Sequence, residues 1–401
     1  MNILYIGPND SEWAQMNRPV SLAAAKWARG FLTSLSKVAN ITALTHTYEV
    51  SWPKGDVFWR GYNKLLYPEG WDCVSISYPV IKYLRDWWYA WRYPIEAKRI
   101  VCRKNIDVAI FYNCHLPYLV RTMKVLHSMG VPCVPIILDG DDPRRDEWKW
   151  IKLAGQYANG MVSLSWWIYT HSPVSVPKYH MDGGADDWRG EGVIVDKQII
   201  MGSDTMYDTL RNTNMHYFTL VHTGALDQWR GLNFMVEVVK FLTGRRNDVK
   251  FIFCGKSSCK TLERVFGGNP QVILPGFVTE EEMVRICNSA DVLLNVRDPE
   301  HPDNILNYPS KLPHYLSFGR PIVSTRLESL SPDYDNVIEF PEENSVDSFV
   351  RKVEEVMSWS VDKKFQKYEE IKKWFENRKR WDILVTGLKD WIQEVICGNL
   401  R

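Results

Sequence analysis

The chain has 401 residues, of which 45% are hydrophobic and 24% are charged, as in ordinary globular proteins. Lys and Arg total 49 against 48 Asp and Glu, so the net charge of +1 gives no reason to expect a nucleic-acid partner. This length predicts two or three domains at about 150 residues each. We expect neither a signal peptide nor a membrane span, because no basic leader and no run of about 18 apolar residues occurs.

The eight cysteines include no CxxC pair, which argues against a structural zinc site. Several of them lie inside apolar runs, as buried free thiols do. This usage is typical of a reducing compartment, so we expect a cytoplasmic protein.

In the first half, short apolar runs alternate with helical patterns. The predicted strands are 2–6, 41–45, 73–77, 107–112, 133–138 and 161–165. Helical patterns lie between most of them, including 19–36, 80–104 and 116–129. Alternation of this kind is typical of a doubly wound parallel sheet.

A stretch rich in Gly and Asp, "MDGGADDWRGEG" (181–192), separates this half from a second alternating series. The predicted strands of that series are 217–224, 249–255, 271–276, 291–296 and "RPIVST" (320–325). Residues 344–398 read as charged helices. We therefore expect an α/β protein with two Rossmann-like domains facing a cleft. Its predicted parts are a first domain 1–185, a linker 186–216, a second domain 217–378 and a helix 379–401 that returns to the first domain.

Three loops of the second half have the composition of anion sites. In the first, a strand ends at Gly224, and Arg230 precedes a helix that starts near Gly231. In the second, Gly255 is followed by Lys256 at a helix start. Exposed backbone N–H groups at a helix start attract anions, and a nearby cation adds to that attraction. Each loop alone is equally compatible with a capped helix and a surface cation.

The third loop follows the predicted strand 291–296 and is unusually polar. It contains Arg297, Asp298, Glu300, His301, Asp303, Asn304 and Asn307. A short helix is predicted next, with Pro309 in its first turn and Gly319 as its stop. Ser310 and Lys311 would place a hydroxyl and a cation beside exposed backbone donors. The alternative is a capped helix with a solvated lysine.

Segment 217–325 resembles the nucleotide-sugar-binding domain of retaining GT-B glycosyltransferases of family 4. The matching motifs occur in the family's order: "TGALDQWRGLNF", "FCGKS", "LPGFVTEEEMVRICNSADVLLNV" and "PSKLPHYLSFGRPIVST". The segment "DGGAD" (182–186) resembles the entry to the second domain, whereas 1–180 matches only in the rhythm of strands and helices. The resemblance implies sugar transfer, with retention and without a bound metal or other cofactor, from a nucleoside-diphosphate sugar to a glycan or lipid-linked acceptor.

The resemblance also implies roles for individual residues. Arg230 and Lys311 stand where the family stabilises the leaving diphosphate, and Gly224 where the backbone approaches it. Further residues are expected to bind the donor, with Phe277 and Val278 in the base pocket. They are Lys256, Phe277, Val278, Asn304, Asn307, Ser310 and His314.

Three positions depart from the family pattern. Ala225 replaces an arginine, and His314 and Leu306 replace two glutamates, one of which holds the ribose. Two interpretations follow. Either His314, which can still hydrogen-bond a hydroxyl, holds the donor in a variant pocket, or the chain is a non-catalytic GT-B subunit that stabilises a partner enzyme.

Candidates in the first half are less specific. His115 follows a strand end, where the family places a residue facing the sugar, although Tyr112 aligns as well. Asp139 and Asp141, in "LDGDD", suggest a rival class, GT-A enzymes that hold a divalent metal with Asp-x-Asp. In the first loop, Asp10, Glu12 and Arg18 are further candidates to face the acceptor.

Segment 78–104 mixes Trp and Tyr with Lys and Arg. Its apolar residues at helical spacing are Leu84, Trp88, Trp91 and Ile95. They predict an amphipathic helix that packs on its own sheet or contacts a membrane peripherally through its cations. Pro94 is expected to kink or end this helix. The oligomeric state is not predicted.

Overall fold

The computed structural model describes residues 1–61, 66–138, 146, 148–186, 217–228, 230–255, 259–298 and 301–399. The chain divides into two compact units. The first comprises Met1–Gly184, Trp381–Arg401 and the short piece Leu306–Tyr308. The second comprises Ala185–Ile305 and Pro309–Arg380. Of the predicted linker 186–216, all but Asp186 lies outside the described residues.

The first unit contains a parallel sheet. Its strands are β1 (Asn2–Ile6), β2 (Asn40–Thr45), β3 (Phe58–Trp59), β4 (Asp72–Ser75), β5 (Tyr78–Pro79), β6 (Val108–Tyr112), β7 (Cys133–Ile137), β8 (Met161–Ser163) and β9 (Lys178–His180). Seven of them form one sheet in the order β4-β2-β1-β6-β7-β8-β9, with every neighbouring pair parallel. The remaining two, β3 and β5, pair as a small antiparallel ribbon.

The helices of this unit lie between the strands. They are α1 (Glu12–Asn17), α2 (Leu22–Leu35), α3 (Leu84–Arg103), α4 (Pro117–Ser128), α5 (Lys149–Gly155) and α6 (Trp166–His171). Ser11 and Ser21 begin the first two helices, and each hydroxyl accepts a hydrogen bond from a backbone N–H of the first turn. α3 continues to Arg103, so Pro94 does not end it.

The second unit has a five-stranded parallel sheet. Its strands are β10 (Phe218–Thr223), β11 (Val249–Cys254), β12 (Val272–Gly276), β13 (Val292–Asn295) and β14 (Ile322–Ser324). Their order is β12-β11-β10-β13-β14, and every neighbouring pair is parallel. The helices are α7 (Leu232–Thr243), α8 (Cys259–Phe266), α9 (Glu280–Asn288), α10 (Pro302–Leu306), α11 (Leu312–Ser317), α12 (Val346–Met357) and α13 (Val361–Arg378). A single 3₁₀ helix is described in this unit, at Pro332–Asn336.

Apolar residues of the β-strands and of helices α7 and α12 form the core of the second unit. Leu220, Phe251 and Leu294 on the sheet are fully buried, as are Met235 on α7 and Phe349 on α12. This packing follows from the sequence pattern, since strands covered on both faces read as continuous apolar runs.

In both sheets the strand order reverses beside the first strand. The reversal falls between β1 and β6 in the first unit and between β10 and β13 in the second. In open α/β sheets, ligands bind beyond the carboxyl ends of the strands at such a switch point. The loops after these four strands are therefore where ligand-binding residues are expected.

The last helix, α14 (Trp381–Ile396), belongs to the first unit, where it packs against α2. The Trp381 ring meets Trp27 edge-on at 5.6 Å between centroids. A Cβ at Gly30 of α2 would overlap the Trp381 indole, so only glycine permits this contact. The helix predicted to return to the first domain thus lies on that unit.

Two details of the predicted helices are wrong. α11 begins at Leu312, with Pro313 in its first turn, so Pro309 and Ser310 precede the helix. In α3 the predicted apolar face does not pack on the sheet as one alternative had it, because Leu84 and Trp91 are 42% and 41% exposed, and the membrane alternative stays a prediction. The residues it buries are Tyr89, Tyr93, Pro94, Ala97 and Ile100. None of the described helices is long and apolar enough to cross a membrane.

Candidate functional site

Three adjacent strands of the second sheet end in glycine. Gly224 follows β10, Gly255 follows β11, and Gly276 closes β12, with φ angles of +92°, +153° and +77°. The Gly224 N–H donates to the Cys254 carbonyl at 2.8 Å, and the Gly255 N–H donates to the Gly276 carbonyl at 2.9 Å. A Cβ at Gly255 would overlap the Gly224 carbonyl oxygen. Glycine therefore allows these turns to lie side by side at the carboxyl edge of the sheet.

Lys311 lies over this glycine edge and contacts a buried histidine. Its Nζ is 3.0 Å from Nε2 of His222 on β10, and its Cε lies 4.0 Å from where a Cβ of Gly224 would be. Burial, followed by the charge of Lys311, holds the pKa of His222 well below its usual value. The neutral imidazole can therefore accept a hydrogen bond from the Lys311 amine.

The pKa of Lys311 is itself lowered well below its ordinary value. Burial is the largest cause, and the positive charges of Arg297 and Arg230 lower it further. The positive charges of both guanidinium groups therefore act on the Lys311 amine. Such a cluster of cations repels its own charges, and a bound anion would relieve that repulsion.

Arg297 is held at the end of β13 by a buried amide. Its guanidinium donates to Oδ1 of Asn304 at 3.2 Å, and Nδ2 of Asn304 donates to the Asp298 carbonyl at 2.8 Å. The Arg297 N–H also donates to Oγ1 of Thr325 at 3.1 Å. Asn304 is fully buried and holds Arg297 in place, and its expected contact with the donor stays a prediction.

Arg230 lies at the start of α7 on the other side of the switch point. Its Nη1 is 2.9 Å from Oδ2 of Asp227, and both side chains are partly exposed. Gly231 caps α7 in the left-handed conformation, with φ +89°, and a Cβ there would lie 3.1 Å from the Arg297 Cα. Close packing of these two loops brings the cations of both together.

Helix α11 is anchored to the end of β10 through Tyr315. The Thr223 N–H donates to the Tyr315 hydroxyl at 2.7 Å, and burial raises the pKa of that hydroxyl far above its usual value. The preceding Lys311 is thereby fixed relative to the sheet. His314, on the same helix, is half-buried.

The remaining donor-binding candidates lie around this edge or outside the description. Phe277 follows Gly276 and is 68% exposed, and Val278 beside it is half-buried. Ser310 is exposed, and Asn307 is half-buried between α10 and α11. Lys256 lies outside the described residues.

The structure thus brings Gly224, Arg230 and Lys311 together at the switch point of the second sheet. Sequence reasoning assigned no role to Arg297 and missed His222. The signal for Arg297 was its position directly after a buried strand. Of the departures from the family pattern, Leu306 is buried and Ala225 is half-buried.

In the first unit, the loops after β1 and β6 carry the other candidates. His115 is half-buried between β6 and α4. Asp10 is buried, and Oδ1 accepts a hydrogen bond from the Thr47 hydroxyl at 2.9 Å. Burial raises the pKa of Asp10 to about 6 despite that bond. Glu12 forms an ion pair with Arg29.

The acidic loop proposed for a GT-A metal site, with Asp139 and Asp141, lies outside the described residues. Among the residues that are described, no group of three or more His, Cys, Asp or Glu side chains is placed to hold a metal ion.

Two units, each with a Rossmann-type parallel sheet, define the GT-B class of fold, and solved structures share it. A glycosyltransferase from Rickettsia africae has a TM-score of 0.66 and 10% identity over 98% of both chains. Anabaena HepE, solved with UDP and glucose, has a TM-score of 0.66 and 11% identity over 98% of this chain and 100% of that one. Sucrose-phosphate synthase from Thermosynechococcus elongatus has a TM-score of 0.64 and 7% identity over 99% and 100%. The GT-B fold is confirmed, and the GT-A alternative is wrong.

Residues 217–358 match the family model described as Glycosyl transferases group 1. The match includes β10 to β14 and all three cations of the switch point. The resemblance seen over 217–325 is thereby confirmed at the level of this family. No curated protein sequence matches the chain.

Proposed function

We propose that the chain is a retaining, metal-independent hexosyltransferase of family 4. It transfers a sugar from a nucleoside-diphosphate sugar to a glycan or lipid-linked acceptor and needs no further cofactor. The observation that carries this proposal is the cluster of Arg230, Arg297 and Lys311 at the switch point of a group 1 domain. Such a concentration of positive charge over a glycine edge suits a diphosphate.

In the proposed reaction, bond breaking leaves negative charge on the departing nucleoside diphosphate. The three cations stabilise that charge, and Gly224 lets the backbone approach the phosphates. Binding of the anion raises the pKa of Lys311 and so favours its protonated form, because the anion offsets the repulsion from both arginines. Arg230 turns from Asp227 towards the phosphates.

The nucleoside is proposed to lie towards β12. The exposed ring of Phe277 offers a surface on which a base can stack, and Val278 extends it. His314 hydrogen-bonds a ribose hydroxyl in place of the family's glutamate, and Ser310, Asn307 and Lys256 complete the donor site. UDP is the first nucleotide to test, since HepE was solved with it.

The acceptor is proposed to bind the first unit, with His115 facing the sugar. Seven described cysteines are free thiols, which supports a cytoplasmic site for the reaction.

The second candidate function is a non-catalytic subunit that binds a partner glycosyltransferase. Two observations favour it: Leu306 is buried where the family has a carboxylate, and Arg230 is engaged by Asp227. This candidate predicts that no nucleotide sugar is turned over.

The test is calorimetric titration with UDP, GDP and dTDP and their sugar conjugates, without added metal. Loss of one charge-assisted hydrogen bond costs about 1.5–3 kcal/mol, so Arg230→Ala and Arg297→Ala should each weaken binding about ten- to hundredfold. Arg246→Ala is the matched control. Arg246 forms an ion pair with Asp248 at 2.6 Å, just before β11 and therefore at the opposite edge of the sheet.

A nucleotide that binds the wild type and Arg246→Ala but not the other two variants supports the donor site. Slow hydrolysis of its sugar conjugate then supports the enzyme over the subunit. Absence of binding by all nucleotides, with or without manganese, contradicts the proposal.

A further inference from the structure

The first unit exposes a cluster of large aromatic and aliphatic side chains that its own core does not use. We call it the aromatic surface. Its members are Tyr48, Trp52, Val57, Phe58, Ile81, Tyr83, Leu84, Trp87 and Trp91, which are between 37% and 74% exposed. They come from the loop before β3, from β3 itself, from the turn between β5 and α3 and from the first turns of α3.

Contacts between rings make part of this surface continuous. Trp87 stacks on Trp91 with centroids 6.4 Å apart, and Trp91 meets Trp88 edge-on at 5.2 Å. Trp88 in turn meets Phe58 of the ribbon edge-on at 6.4 Å. The exposed stripe of α3 therefore joins the exposed face of the ribbon.

The opposite face of α3 already has partners within the unit. Tyr89 lies 4.2 Å from the His46 ring, and Tyr93 lies 4.5 Å from the Tyr118 ring, measured between centroids. These contacts fix how the helix is rotated, so its tryptophans are held outward. Trp87 remains 63% exposed, because α3 turns its tyrosines inward and Trp87 lies on the other face.

Cations accompany the exposed rings. The Lys82 amine lies 5.1 Å from the centroid of Tyr83, and the guanidinium groups of Arg85 and Arg92 lie 4.9 and 5.5 Å from the centroids of Tyr48 and Trp91. The segments 48–60 and 78–92 together contain five Lys or Arg and three Asp or Glu. Arg92 pairs with Glu96 just beyond them, and Arg85 lies 3.8 Å from Asp86, so the exposed Lys54 and Lys82 are the cations best placed for head groups. One of the three acids, Glu49, is buried and paired with Arg18 at 2.8 Å.

We propose that the aromatic surface binds the surface of an anionic lipid bilayer. Trp and Tyr side chains favour the boundary between hydrocarbon and head groups, where apolar rings and polar ring atoms are both satisfied. Lys and Arg beside them meet anionic head groups. A helix with an exposed apolar stripe and flanking cations can lie in the plane of that boundary.

A second copy of the chain suits this surface less well than lipid. The cores of protein interfaces are depleted in lysine, whereas Lys54 and Lys82 are exposed within the two segments. Lipid binding also involves no nucleotide, so the proposal stands or falls independently of the donor site.

The experiment is cosedimentation of the full chain with vesicles of phosphatidylcholine alone or mixed with phosphatidylglycerol. Wild-type protein should pellet with the mixed vesicles. The double variant Trp87→Ser, Trp91→Ser should bind them more weakly by about tenfold or more, because two interfacial rings are lost. Lys82→Gln should lose about fivefold on mixed vesicles and little on neutral ones.

Ile383→Ser is the matched control, since Ile383 is 45% exposed on α14 of the same unit. It should bind vesicles like the wild type. Circular dichroism melting shows whether the double variant folds, and Lys82→Gln tests the surface without removing a ring. Unchanged binding of the folded double variant overturns the proposal. So does a wild-type dimer that the double variant dissociates in sedimentation velocity, because the surface would then join two copies.

Discussion

At Lys311, stability and anion binding make opposite demands. The folded chain lowers the pKa of this amine from its ordinary value of 10.5, mainly by burial and then by the charges of Arg297 and Arg230. The unfolded chain therefore binds the proton more tightly than the folded chain does. At pH 7 the Lys311 amine therefore lowers the free energy of unfolding. This destabilisation disappears as the pH rises above the pKa that the amine has in the unfolded chain.

We predict that Lys311→Met raises the free energy of unfolding at pH 7 by about 1–2 kcal/mol, since a buried charge is replaced by an apolar chain of similar length. The same variant should lose nucleotide binding. Urea denaturation and calorimetry measure the two effects. Lys352→Met is the control, because Lys352 is paired with Glu355 at 2.6 Å and should gain nothing. A less stable Lys311→Met variant would show that the amine is favourably paired.

Asp10 gives a prediction that depends on pH. Its pKa is raised from 3.8 to about 6, chiefly by burial, so the folded state holds the proton more tightly than the unfolded state. The contribution of this proton to the free energy of unfolding is fully present below pH 3.8 and is lost as the pH rises through about 6. Asp10→Asn should therefore stabilise the chain by roughly 3 kcal/mol at pH 7 and have little effect near pH 4. Urea titrations at both pH values test this, and an equal effect at both would contradict it.

Between elements, the glycine edge depends on the close approach of the turns after β10 and β11. Gly255→Ala would force a Cβ into the Gly224 carbonyl at a backbone conformation with φ +153°. We expect a loss of about 2 kcal/mol or more in stability and loss of nucleotide binding, because the turn under Lys311 moves.

Gly268→Ala is the matched control for that prediction. Gly268 has φ +85°, but a Cβ there meets nothing within 4 Å. This variant should lose about 1 kcal/mol through backbone strain alone and keep full binding by calorimetry. If both variants bound nucleotide normally, the glycine edge would not be part of the donor site.

The long elements of this fold were predictable, whereas three of the shortest strands were not. The runs that became β10 and β11 were located to within a residue at each end, because strands buried on both faces leave continuous apolar segments. β3, β5 and β9 have only two or three residues, which is too few to show a period. The face that α3 packs inward could not be predicted from apolar spacing, because its tyrosines, and not its tryptophans, contact α4 and the residues near the sheet.

Some residues of the site could likewise be predicted from the sequence, and others could not. Gly224, Arg230 and Lys311 belong to contiguous motifs and could be predicted from them. His222 lies within a strand and is 89 residues from Lys311, so their contact depends on where α11 packs against β10. The role of Asn304 depends likewise on the conformation of the loop after β13, which local sequence does not determine.

For the whole molecule, we predict where a nucleotide slows backbone exchange with solvent. Binding of UDP alone should protect amides in 223–228, 295–298 and 309–312, which surround the cations of the second unit. The turn after β6 in the first unit should be unaffected. Hydrogen–deuterium exchange with mass spectrometry measures this, with Arg230→Ala as the control. Equal protection in both units would contradict a donor site confined to the second.

The position of α14 has a consequence for how the protein is made. The first unit begins at Met1 but needs Trp381, which fills the space over Gly30, and Trp391, which stacks on Tyr179 at 5.2 Å. On the ribosome, these residues emerge only after the segment that builds the second unit. The unit that is synthesised first must therefore wait, incomplete and with its α2 surface uncovered, until that segment has been made. A premature stop codon just before Trp381 would leave the amino-terminal half as a substrate for chaperones and proteases.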